Sequence, residues 1–161
     1  MHYLIDGYNV INSNDKFYAS TLNDRRKKLI DFIQLCRPHG SINNHATVVF
    51  DFKLKYPCGL SGYEKFHVGD IEIIFSNGIL SADDIIVELV DESQNPYEIT
   101  VITNDKGLCR RISASGARHK NVEVFLDKGF NRKNTKKIKE CFDANEDNVI
   151  TDEFAKLWLK K

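Results

Sequence analysis

Five short, nearly continuous β-branched runs, set apart by stretches of helical period, constrain the fold of this chain more than any other feature. Tyr3–Ile5, Thr47–Phe50, Ile71–Phe75, Ile99–Thr103 and Val122–Phe125 are too brief for helices. They are also too uniformly apolar for half-exposed strands, so each predicts a strand buried on both faces. Leu22, Leu29, Ile30, Phe32, Ile33 and Leu35 share one face of a helix over about 21–37, ended by Pro38 and Gly40. Ile85, Ile86, Leu89 and Val90 do the same over about 82–93, before Pro96. Leu108, Arg111 and Ile112 mark a shorter helix over about 105–115, with Gly116 as its stop. Strands alternating with helices build parallel βαβ units. The expected fold is therefore α/β, a central and mostly parallel sheet of about five strands covered on both faces.

The ends of those strands are acidic. Asp6 closes the first in LIDGYNVI, Asp51 closes the second in VVFD, and Asp105 follows the fourth in VITND. Asp83 and Asp84 open the helix after the third in LSADDIIVEL. Singly, each has a plain explanation, because aspartate starts turns and is favoured in the first turn of a helix. Jointly they demand another, because the carboxyl ends of parallel strands lie together along one rim, where ligands bind. Carboxylates crowded there repel unless a cation neutralises them. Oxygen ligands without histidine or cysteine suit Mg²⁺ or Mn²⁺, ions that assist phosphodiester cleavage.

Charge is distributed in a way that fits an anionic partner. The 23 basic and 23 acidic residues cancel overall, yet from Lys106 to Lys139 eleven basic residues face only Glu123 and Asp127, leaving +9. Such a stretch suits an RNA backbone. The same pattern is also what a solvated basic helix face looks like. No apolar stretch is long enough to span a membrane, so no membrane partner is expected. Cys36, Cys58, Cys109 and Cys141 are scattered, with no CxxC pair, which fits reduced thiols and a cytoplasmic protein.

LIDGYNVI, VVFD, the SAD of LSADDIIVEL and VITND follow one another in the order and spacing of the NYN domain. The chain resembles in particular the YacP-like branch of that family, within the PIN-like nuclease superfamily, over about residues 2–127. The resemblance implies a PIN-like three-layer α/β/α fold and a Mg²⁺- or Mn²⁺-dependent endoribonuclease. It makes Asp6, Asp83 and Asp105 the metal-holding and catalytic acids, with Asp51 as the acid after the second strand. Asn9 falls at the family's asparagine and Thr103 at its small hydroxyl residue. With Arg110 and Arg111 of the basic stretch, these are the expected substrate-side residues. Asn104 stands where the family often has serine, Asp84 is an additional acid without an assigned role, and residues 52–70 and those after Phe130 follow no family pattern.

The organisation expected is a nuclease domain over 1–130, with a basic segment and C-terminal helix over 131–161 packed on it. Residues 52–70, with three glycines and a proline, read as an irregular connection or hairpin. The segment from Asp143 resembles a calcium loop, but lacks glycine at its sixth position and places Glu153 one residue early. Zinc is not expected, since the spacing of Cys36, His39 and His45, or of Cys58 and His67, matches no common module. A phosphotransfer enzyme with an aspartate nucleophile would need a second aspartate where Tyr8 stands. Tyr8, Phe52, Tyr56, Tyr63 and Phe66 flank the acidic rim either as base-stacking surfaces or as packing, and Arg25 or Arg26 reaches toward it or lies on an exposed helix end. The rival to a nuclease is a non-catalytic RNA- or ribosome-binding module of the same fold. Nothing in the motifs encodes an oligomeric state.

Overall fold

The computed structural model describes residues 1–51, 63–76 and 78–131. The calcium-loop resemblance, the C-terminal helix, Phe52 and Tyr56 lie outside the described residues, as does most of the 131–161 segment.

In chain order the elements are β1 (His2–Asp6), α1 (Gly7–Ser13), α2 (Leu22–Cys36), β2 (His45–Phe50), β3 (Tyr63–Val68), β4 (Ile71–Ser76), α3 (Ala82–Asp91), β5 (Ile99–Ile102), α4 (Lys106–Ala114), β6 (Arg118–Lys120) and α5 (Val122–Phe130). The strands form one mixed sheet of order β3-β4-β2-β1-β5-β6. All pairings are parallel except β3 with β4, which form an antiparallel hairpin. Four predicted strands are present as read, and the hairpin expected as one alternative for 52–70 is formed by β3 with β4.

One expectation is overturned. Val122–Phe125 is not a strand but the first turn of α5. Val122, Phe125, Leu126 and Gly129 are its buried residues, a helical spacing that the short run VEVF conceals when taken alone. The sixth strand is instead β6, whose three residues are all exposed. Nothing apolar announces it.

Two separate cores cover the two faces of the sheet. On one, Tyr3, Ile5, Val48, Phe50, Ile73 and Phe75 meet α1, α2 and α5 through Val10, Ile30, Phe32, Ile33 and Phe125. On the other, Leu4, Val49, Ile74 and Val101 meet α3 and α4 through Ile85, Ile86, Val90, Leu108 and Ile112. The result is a three-layer α/β/α sandwich. Fully buried Phe17, Phe32 and Phe50 contribute most to the first core, at about 2–3 kcal/mol each.

The sheet order fixes where a ligand would go. From β1 the chain crosses over one face, through α1 and α2, to reach β2 on one side. After β4 it returns over the other face, through α3, to reach β5 on the other side of β1. The direction of winding thus reverses at the end of β1, where a crevice opens between diverging connections. Asp6 is the residue at that point.

Candidate active site

Asp6 is the last residue of β1 and the N-cap of α1. The helix starts without a loop because Gly7 has no side chain: a Cβ there would lie 2.3 Å from the Phe50 ring. Asp6 Oδ1 accepts the backbone N–H of Asn9 at 3.2 Å. Its Oδ2 accepts the Thr103 hydroxyl at 3.0 Å, a contact between residues 97 apart in sequence. The residue is 8% exposed. Burial pushes its pKa up to about 6; the Asn9 and Thr103 hydrogen bonds oppose the rise, and the charges of Asp83 and Asp105 add to it.

Asp105 repeats the pattern on the neighbouring strand. It caps α4, Oδ1 accepting from Leu108 N–H at 2.8 Å, and its own N–H donates to Thr103 Oγ1 at 3.1 Å. Thr103 therefore ties the two carboxylate-bearing turns together through one hydroxyl. The Asp83 carboxylate, in the first turn of α3, accepts no hydrogen bond among the described residues. Its pKa is raised, chiefly by burial and then by Asp105, with Asp51 and Asp84 adding and Arg111 opposing. Acids from the ends of β1, β2 and β5 and the start of α3 thus feel one another across the crevice.

The remaining residues hold this rim in shape. Asp51 Oδ1 accepts from the Ser76 hydroxyl at 3.0 Å and from Ala82 N–H at 2.9 Å, pinning the entrance to α3 against the ends of β2 and β4. Asp84 forms a capping box with Ser81 and an ion pair with Arg111 at 2.8 Å. The Asn9 side chain accepts from Asn104 N–H at 2.9 Å. Asn104 in turn uses its side chain on α5, accepting Val122 N–H at 2.9 Å and donating to Glu123 at 2.8 Å. Since Asn121, the N-cap of α5, makes no capping bond of its own, Asn104 caps that helix from across the rim. Its role was invisible in the sequence, where it stood only as a departure from serine.

Arg110 is exposed on α4 and in no ion pair among the described residues. Arg25 donates to the Ala19 carbonyl at 3.1 Å, away from the acids. Arg26 is buried, donating to the Tyr8 hydroxyl and lying 5.3 Å from the Tyr8 and Phe75 ring centres. Tyr8 tilts onto Phe50, Phe66 onto Phe75, and Tyr63 packs on the second core. These three aromatics serve packing.

The donors fit a hard cation. They are carboxylate oxygens only, and burial with the neighbouring acids raises the pKa of Asp6 to about 6. Among the described residues no three such groups close directly on a single point. Mg²⁺ keeps several waters and takes one or two carboxylates directly, so it does not require three acids to close on one point. No helix of the described residues is long and apolar enough to cross a membrane.

The family model of the YacP-like NYN domain matches residues 3–160. Among solved structures, a mutant of Rae1 (YacP) from Bacillus subtilis is similar with 22% identity and a TM-score of 0.64, over 95% of this chain and 89% of that one. A further crystal structure of Bacillus subtilis Rae1 (YacP) is similar with 21% identity and a TM-score of 0.59, over 99% of this chain and 91% of that one. At such identities the likeness is one of fold. No curated protein matches the chain.

Proposed function

The chain belongs to the YacP-like NYN domain family, a family of nuclease-like fold, and from that premise we propose that it is a divalent-metal-dependent endoribonuclease acting on RNA in the cytoplasm. Asp6, Asp83 and Asp105 hold Mg²⁺ or Mn²⁺, and Asp51 steadies the turn that presents Asp83. When bound, such an ion lowers the pKa of water and offsets the charge that builds on the phosphate. Thr103 keeps Asp6 and Asp105 in register, and Asn9 does the same for the turn at Asn104. Arg110 and Arg111, with Lys106, Arg118 and Lys120 on the same edge, hold the RNA backbone. The protein thereby acts in mRNA decay or RNA processing.

One observation carries this reading: Asp6, buried and tied by the Thr103 hydroxyl to the turn of Asp105, stands at the switch point of the sheet, with Asp83 and Asp105 near enough to add to its raised pKa. A fold tolerates such a cluster at its topological switch point when a cation repays it. The test is cleavage of a mixed-sequence single-stranded RNA with Mn²⁺, with EDTA, and by Asp83→Asn with Mn²⁺. Cutting that needs metal and is lost in the variant is the expected result. A folded wild type that binds Mn²⁺ and RNA yet never cuts, alone or with ribosomes added, would point instead to an RNA- or ribosome-binding module.

A further inference from the structure

Among the described residues, Asp84 accepts more hydrogen bonds than any other acid of the rim. Its Oδ2 accepts from the Ser81 hydroxyl at 2.7 Å and from Ser81 N–H at 3.3 Å, which turns the carboxylate toward the start of α3. Its Oδ1 takes the Arg111 guanidinium at 2.8 Å. Arg111 projects from α4, so this pair clamps the two helices that supply Asp83 and Asp105. The carboxylate of the adjacent Asp83 accepts no hydrogen bond among the described residues, and the Arg111 charge already acts on it. An arginine beside an unpaired carboxylate pairs with it unless it is held elsewhere, because a guanidinium is always charged and fits a carboxylate in two-point fashion.

We propose that Asp84 is a positioning residue that holds Arg111 off Asp83, so that a cation of the rim, and not the protein's own arginine, occupies that carboxylate. The inference rests on the metal-dependent reading above. Without Asp84, Arg111 swings onto Asp83 and competes with the ion. With Asp84, the guanidinium stays at the lip, its charge available to an RNA phosphate.

The test is a double-mutant cycle read as Mn²⁺ affinity, by titration followed by electron paramagnetic resonance, on the full chain. Asp84→Asn weakens Mn²⁺ binding about ten-fold while Arg111 is present, and less than about two-fold in an Arg111→Gln background; the difference between the two losses is the coupling. Loss of the capping box, or of one negative charge near the ion, would act equally in both backgrounds, so equal losses overturn the proposal. Asp84→Glu, which keeps the charge, restores most of the affinity. A wild type that binds Mn²⁺ but cuts no RNA removes the nuclease reading and leaves the cycle decisive for Asp84. A folded wild type that binds no Mn²⁺ overturns both.

Discussion

A single carboxylate at position 6 closes a strand, starts a helix and faces two other acids, and these duties conflict. Capping α1 stabilises by about 1 kcal/mol, whereas keeping the charge in a buried acidic crevice costs more. The sign follows from the pKa values. A carboxyl at about 6 when folded and near 3.8 when unfolded binds protons more readily in the folded state. Stability therefore falls as pH rises from about 4 to about 6, and the full cost, on the order of 2–3 kcal/mol, is present above that window. Asp6→Asn keeps the cap and removes the charge. In EDTA at pH 7.5 it should raise the urea midpoint and flatten the pH dependence of unfolding, while abolishing cleavage with Mn²⁺. An unchanged or lowered midpoint would mean that the cluster is not under electrostatic load.

At the level of elements, the site depends on how abruptly strands turn into helices. β1 passes into α1 only because Gly7 leaves room for the Phe50 ring. Gly7→Ala should cost about 1–3 kcal/mol by overpacking, read from urea unfolding, and Phe50→Leu in the same chain should recover part of it. A neutral Gly7→Ala would place the ring elsewhere. These junctions also explain what the sequence made legible. β1, β2, β4 and β5 are buried on both faces and read as unbroken β-branched runs, so the rim of aspartates at their ends was predictable. β6 was not, because Arg118, His119 and Lys120 lie exposed at the sheet edge and carry no apolar pattern. α5 was misread because Val122–Phe125 is one turn, in which strand and helix periods look alike. The cross-chain bonds of Thr103, Asn9 and Asn104 leave no periodic signal, since pairs some 97 and 95 residues apart meet only after folding. Asp84 had no assignable role in the sequence, because adjacency to Asp83 does not reveal that it caps α3 with Ser81 and pairs with Arg111.

At the scale of the described residues, Asp6, Asp51, Asp83 and Asp105 lie at the ends of the central strands, and the neighbouring β5–α4–β6 side carries Lys106, Arg110, Arg111, Arg118 and Lys120. Single-stranded RNA binding to that edge should weaken with salt, and Arg110→Gln should reduce the slope of log affinity against log salt by about 0.7, the share of one phosphate contact. An unchanged slope would move the RNA path off α4. The sheet also sets a timetable. β1 is synthesised early but stands in the middle of the sheet, between β2 and β5. Its flank stays open until β5 arrives, and the hydroxyl that orients Asp6 is 97 residues downstream. Synthesis runs from the N-terminal side, so Asp6 has its local bond from Asn9 N–H long before Thr103 is made. A chain that stops before Thr103 carries Asp6, Asp51 and Asp83 but lacks Asp105 and the hydroxyl that holds Asp6, so the acidic rim stays incomplete until β5 and the turn after it are made.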